Sequence, residues 1–231
     1  MGSMKSITKI IHIPVIILVL ISSTGCNRKE EPEPEITSVT DYDGNIYPVV
    51  KIFTQYWMTE NLKTTRLNDG KPITLASDHW FFDKEPSRCF YNNDGASYRN
   101  PYGMLYNMYA VYTGKLCPAG WHVPKQTEWN TLIGYLGSNV AGGKLKETGT
   151  AHWISPNTGA DNSTGFSALP GGQIQIGGVF TGMGSEGIWW IDNSPAGALT
   201  IQLTYNSAGL FYYGSGIYFG HSVRCIKDPN P

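Results

Sequence analysis

The segment Cys117-Pro118-Ala119-Gly120-Trp121-His122-Val123-Pro124, with Glu128-Trp129 close behind, opens a frame that Ser222-Val223-Arg224-Cys225 closes near the C-terminus. Beyond Pro124, Trp129, Leu132, Ile133 and Leu136 recur on one helical face. This predicts a helix over Gln126–Leu136, with Gly137 as its C′ residue. Lys125 stands where a capping Thr or Ser would accept a hydrogen bond, so only Glu128 remains of the capping box. The frame reads as a passage from strand to helix, tied at its far end to a terminal strand over residues 222–226.

Working outward, residues 49–53 and 56–58 predict two tightly joined strands, and Tyr91-Asn92-Asn93-Asp94-Gly95 predicts a turn. Leu105, Met108, Tyr109 and Tyr112 at helical spacing predict a helix over residues 104–112, stopped by Gly114. From Gly137 to Gly184, Gly, Asn, Ser and Thr dominate, with short strands expected at 144–146, 166–169 and 173–176. Leu199, Ile201, Leu203 and Tyr205 alternate with Thr200, Gln202 and Thr204, the period of a half-buried strand. Asn206-Ser207-Ala208-Gly209 then turns the chain into residues 210–213. Two helices, short antiparallel strands and long loops point to an α+β fold.

At the N-terminus, Lys5 and Lys9 precede an apolar run over residues 10–21. The run is too short for the roughly 20 residues of a membrane-spanning helix, and His12 and Pro14 interrupt it. It ends in Leu20-Ile21-Ser22-Ser23-Thr24-Gly25-Cys26, which resembles a bacterial lipobox with Cys26 as the acylated first residue; an ordinary secretory signal is the alternative. A lipid contributes about 0.8 kcal/mol per buried CH₂, so several chains on Cys26 make a membrane anchor. Residues 27–35 are charged and Pro-rich, which predicts an extended tether. Lys29-Glu30-Glu31 within it resembles the surface-export signal of Bacteroidetes lipoproteins. The expected organisation is a lipoprotein signal over 1–25, an acidic tether over 26–38 and one domain over 39–231. The expected place is the outer membrane and cell surface of a Gram-negative bacterium.

Charged residues make up 15% of the chain, against a usual quarter, beside 14 tyrosines and 7 tryptophans. That composition fits an exported β-rich binding domain better than a cytosolic enzyme. A net charge of −1 without a basic patch argues against a nucleic-acid partner. With Cys26 set aside, Cys89, Cys117 and Cys225 allow one bridge and one free thiol in an oxidising compartment. We expect Cys117–Cys225, closing a loop of roughly a hundred residues and contributing roughly 4 to 5 kcal/mol. Cys89 then reads as a buried strand thiol. Sequence alone leaves all three pairings open.

Several further stations accompany the frame: Trp57-Met58-Thr59-Glu60-Asn61-Leu62, Tyr91-Asn92-Asn93-Asp94, Tyr102-Gly103-Met104-Leu105-Tyr106-Asn107, Gly142-Gly143-Lys144-Leu145-Lys146-Glu147-Thr148-Gly149, His152-Trp153, Gly165-Phe166-Ser167-Ala168-Leu169-Pro170-Gly171-Gly172 and Gly187-Ile188-Trp189-Trp190. In this order they resemble the Fibrobacter succinogenes major paralogous domain family, over roughly residues 40–228. The resemblance implies a C-type-lectin-like domain, a fold shared with formylglycine-generating enzymes, in bacterial surface lipoproteins without an assigned reaction. Lys125 departs from the family pattern. So does Ile191-Asp192-Asn193, where relatives carry Ser-Ser-Thr.

Catalytic chemistry finds little support in the residues. Copper-thiolate oxidation of the formylglycine-generating type needs two free cysteines near the C-terminus, and only Cys225 is there. His79, His122, His152 and His221 are isolated in sequence, and Glu128 and Glu147 pair only if folding happens to join them. For calcium, Asp41-Tyr42-Asp43-Gly44 starts like an EF-hand loop without its later acids, and Asp161-Asn162 offers oxygens. No metal or cofactor is expected, with calcium held as a minor alternative.

The functional signal lies in the late aromatic and amide set: Trp189, Trp190, Asp192, Asn193, Tyr205, Asn206, Tyr212, Tyr213 and Tyr218. Aromatic rings give rigid contact area and stack on sugars, while amides and hydroxyls adapt their hydrogen bonds. Neighbouring tryptophans on one strand point opposite ways, so at most one of Trp189 and Trp190 meets a ligand. The expected ligand-binding residues are Trp190, Asp192, Asn193, Tyr212, Tyr213 and Tyr218, engaging a glycan or a surface protein without covalent chemistry. A structural or adhesive envelope subunit and a retroelement-diversified receptor are the alternatives.

Overall fold

A computed structural model describes residues 1–2, 35–76, 84–193 and 196–229. The chain divides into Met1–Pro34 and Glu35–Pro231. The signal-like segment, Cys26, the tether up to Pro34, and His79 lie outside the described residues.

Within Glu35–Pro231, β2 (Ile46–Ile52) lies between β1 (Ser38–Thr40) and β3 (Gln55–Met58) and buries Tyr47 and Ile52 from opposite faces into separate clusters. A small sheet follows, with β4 (Thr74–Leu75), β5 (Ser87–Cys89) and β6 (Leu105–Tyr106). Between β5 and β6 lies α1 (Gly95–Tyr102), whose start is capped by the Asp94 carboxylate accepting from the Ala96 and Ser97 amides. Next come α2 (Met108–Tyr112), β7 (Trp121–His122), α3 (Gln126–Leu136) and α4 (Ala141–Leu145). β8 (Gly171–Ile174) pairs with β9 (Phe180–Met183). β10 (Glu186–Ile191), β11 (Leu199–Thr204) and β12 (Phe211–Gly214) form an antiparallel sheet. Finally β13 (Ile226–Lys227) enters the first sheet, giving the order β1-β2-β3-β13-β7.

The architecture is α+β, as expected, with corrections in detail. Residues 104–112 are not one helix. Tyr106 instead exchanges backbone hydrogen bonds with His221, and the Asn107 side chain caps a helix that starts only at Met108. Residues 144–146 belong to the end of α4 and its cap rather than to a strand. Gly142 and Gly143 let α4 lie on neighbouring backbone: an added Cβ would sit 2.0 Å from the Gly209 carbonyl and 2.2 Å from that of Gly159. Tertiary contact thus overrides the short alternating pattern. Residues 166–169 contribute only an isolated bridge between Ala168 and Lys146.

β10 divides the interior. Trp190 packs into a cluster with Tyr47, Tyr106, Met58 and Val223, whereas Trp189 and Ile191 point into another with Trp57, Trp129, Phe166 and Leu203. The closing segment threads between these clusters. Its backbone pairs with Tyr106, Ile188 and Trp190, with Leu62, and with Met58 before reaching β13. Cys225 is bonded to Cys117 with their Cα atoms 6.0 Å apart, and Cys89 is a buried free thiol in β5, both as expected.

Arg224 is 1% exposed. Its Nε and Nη2 donate to Asn61 Oδ1 at 3.2 and 2.8 Å, and its Nη1 donates to the Phe166 carbonyl. The guanidinium lies 4.4 Å from the Phe166 ring centre and 5.9 Å from that of Trp189, within cation–π reach. Burial pulls its pKa down to about 9, which leaves it charged at neutral pH. A lysine cannot reproduce this fork of donors. Arg224→Lys is expected to lower the unfolding free energy by about 3 kcal/mol, measured by urea denaturation at neutral pH. A loss below about 1 kcal/mol would show that the fork contributes little to stability.

Candidate ligand-binding site

Register places two residue sets on opposite faces of the β10–β12 sheet. Trp189 pairs with Ile201 and Ile201 with Tyr212, and this face packs into the cluster around Trp129. Ile188 pairs with Gln202, and Thr200 pairs with both Trp190 and Tyr213. This second face borders a cavity of about 210 Å³, with Gln173 of β8 and the residues after β12, Ser215, Phe219 and His221, completing its walls.

Among the described residues, no lysine, arginine or carboxylate lines the cavity. Its histidine is neutral, because burial pulls the His221 pKa down to about 3. His221 Nε2 and Ser215 Oγ are 2.7 Å apart, a spacing that would suit a nucleophile and its base. His221 Nδ1, however, is buried without a partner, and the ring lies edge-on to Trp190 at 4.4 Å. An imidazolium formed there would have no group to steady it. The pair is suited to holding the Ser215 hydroxyl at the cavity wall.

The six residues expected to bind ligand do not form one site. Tyr213 lines the cavity and is 50% exposed. Trp190 is a correction: it is fully buried, its indole donates to the Tyr106 carbonyl, and it offers no surface to a ligand. Tyr212 faces the opposite way from Tyr213 and donates to Asn130 Oδ1 at 2.7 Å, and burial raises its pKa to about 12. The Asp192 amide donates to the Pro124 carbonyl, and Asp192 and Asn193 are half-buried outside the cavity lining. Tyr218 is half-buried with its ring 6.3 Å from that of Tyr109. None of Gln173, Gln202, Ser215 and His221 is expected in a ligand site from sequence, where His221 reads only as a catalytic candidate and Gln202 only as a strand residue. For Gln202 the signal was present: it alternates with the core-facing residues of β11, so it shares a face with Tyr213 across the turn.

Residues 50–227 match the family profile described as the Fibrobacter succinogenes major domain. The chain belongs to that family. No curated protein and no solved structure matches it.

Elsewhere in this major domain, charged groups serve the frame. Lys146 is fully buried and donates to the Thr158, Thr204 and Ser207 carbonyls at 3.0, 3.0 and 2.9 Å. Three carbonyls thus converge on a cation that is the chain's own ammonium, and burial lowers its pKa to about 8. The Asp41 carboxylate accepts from the Asp43 and Asn45 amides, the Asn45 side chain and the Tyr47 hydroxyl, which makes it a turn organiser. Among the described residues no group of three or more His, Cys, Asp or Glu converges as a metal site. Glu147 pairs with His152 at 2.7 Å rather than with Glu128.

His122 of the opening motif bridges two carboxylates, Asp228 at 2.6 Å and Glu128 at 2.9 Å. Glu128 also accepts from the Lys125 amide at 2.8 Å, so half of a capping box survives without the hydroxyl. Burial alone would lower the His122 pKa, but the hydrogen bonds it donates to Glu128 and Asp228 raise it above 6.5. Burial would raise Glu128, but His122 and the Lys125 amide hold it below the usual 4.5. The histidine therefore stabilises the fold fully below about pH 6.5 and loses that effect as pH rises through its raised folded value. Glu128 contributes above about pH 4.5 and loses its effect as pH falls through its lowered value. His122→Gln is expected to remove on the order of 1 kcal/mol near pH 5.5 and much less at pH 9, read from urea midpoints across pH. A variant whose deficit is equal at both pH values would refute the clasp.

Proposed function

We propose that the protein is a cell-surface lipoprotein whose C-type-lectin-like domain binds a glycan without covalent chemistry. The observation carrying this reading is the chemistry of the cavity beside β11 and β12. Gln173 and Gln202 each supply a donor pair and an acceptor, Ser215 supplies a hydroxyl, and Tyr213 and Phe219 supply rings. Neutral amides beside an aromatic ring suit a sugar, which presents hydroxyls on its edge and C–H groups on its face. At about 210 Å³ the cavity is smaller than the roughly 300 to 1,000 Å³ of drug-sized sites, which suits one ring of a longer chain. A terminal strand drawn back into the first sheet, and a loop-rich second half bridged by Cys117–Cys225, support the lectin-like assignment. The lipobox-like residues ending at Cys26 support the anchor.

A glycan array probed with the purified full chain, with and without chelator, tests the reading. Tyr213→Ala and Gln202→Ala are each expected to weaken binding by about tenfold, with little change in melting temperature. Capture of an envelope protein with no glycan bound would replace the lectin reading by an adhesive one. Binding lost with chelator would bring calcium into the site. For the anchor, radiolabelled palmitate is expected in the parent chain and absent from Cys26→Ala.

A further inference from the structure

The turn joining β2 and β3 contains a residue poorly suited to its backbone. Phe53 has φ of 55°, a left-handed conformation that strains a bulky side chain. The core does not account for it, because Phe53 is 55% exposed. Its ring stacks on Tyr135 of α3, itself 57% exposed, with centres 4.8 Å apart and planes 15° from parallel. A strained turn thus holds an open aromatic pair at the surface.

Beside this pair lies a cavity of about 390 Å³. Lys51, Lys144, Ser163 and Thr164 contribute to its walls, and among the described residues no carboxylate does. Among the described residues Lys51 has no salt-bridge partner, and its ammonium lies 5.1 Å from the Tyr56 ring centre. Lys144 donates to the Leu136 carbonyl at 2.8 Å, which fixes its ammonium at the end of α3. Asp161 is near Lys144 but accepts from the Ser163 amide and stays out of the lining. None of these residues borders the neutral cavity at β12.

We propose that this cavity is a second saccharide site, selective for acidic sugars such as uronic acids. The sugar face lies against the Phe53–Tyr135 pair, the hydroxyls of Ser163 and Thr164 meet its edge, and Lys51 and Lys144 meet its carboxylate. The site combines cationic and aromatic groups, so a neutral sugar or a bare anion satisfies only part of it.

Isothermal titration of the full chain with oligogalacturonate, its methyl ester and inorganic phosphate tests this. The acid is expected to bind at least about tenfold more tightly than its ester and to weaken with added salt, and phosphate to give no measurable binding. Lys51→Glu and Phe53→Gly are each expected to reduce affinity by about tenfold or more. Phe53→Gly should melt no lower than the parent, since glycine accepts the positive φ, so its lost binding would not reflect unfolding. Gln202→Ala should leave binding of the acid unchanged, which separates this site from the neutral one. Absence of binding, phosphate binding as tight as the oligosaccharide, unaffected Lys51→Glu and Phe53→Gly variants, or loss in Gln202→Ala would each overturn the proposal.

Discussion

The Arg224 guanidinium is buried with no carboxylate paired to it among the described residues, and its donors are met by neutral oxygens from distant parts of the chain. Asn61 is the hub. Its Oδ1 accepts from Arg224 and from the Trp189 indole, while its amide donates to the Tyr102 carbonyl and Ser222 Oγ. A buried charge is tolerated only if its hydrogen bonds are made. That requirement locks the segment after β3, the end of α1, β10 and the closing segment into one arrangement. The neighbouring Cys117–Cys225 bond then restricts the unfolded chain, whereas the guanidinium specifies the folded one.

Local patterns were legible in proportion to their length. Eleven residues of α3 carry three helical turns of apolar spacing, and the predicted bounds match the observed ones. The six residues of β11 carry enough alternation to identify the strand. The Cys117–Cys225 bridge was the expected one of three pairings that the sequence left open. α4 escaped because five residues with two glycines have no helical signature, and its helicity depends on what the glycines rest against. Trp190 was misplaced for a related reason. Alternation says that neighbouring tryptophans point apart, but not that a second hydrophobic cluster waits on the other side. Ser215 and His221 meet only because the chain folds back after β12, which no local spacing encodes.

The buried pair on β10 explains where surface chemistry can occur. With Trp189 and Trp190 both enclosed, this strand is a partition, and the polar lining of the cavity beside it comes from β8, β11 and the segment from β12 onward. Register then decides their orientation. Tyr212 is drawn toward α3 and hydrogen-bonds Asn130, which leaves Tyr213 to face the cavity. A slip of one residue in the β11–β12 pairing would exchange the two tyrosines, turning Tyr213 inward and Tyr212 toward the cavity.

The distribution of positive charge separates framework from recognition. Lys146 and Arg224 are enclosed and satisfied by backbone carbonyls or an amide oxygen, so neither is available to an anion. Such cations are tied to local geometry, because each meets oxygens from separate segments and moving one segment would strand the charge. Lys51 differs in being exposed and, among the described residues, without an ion pair, on the strand that leads into the strained Phe53 turn. A sequence average of charge hides this difference, since all three residues count alike. Burial and partners distinguish a cation that holds the fold from one left to meet a ligand.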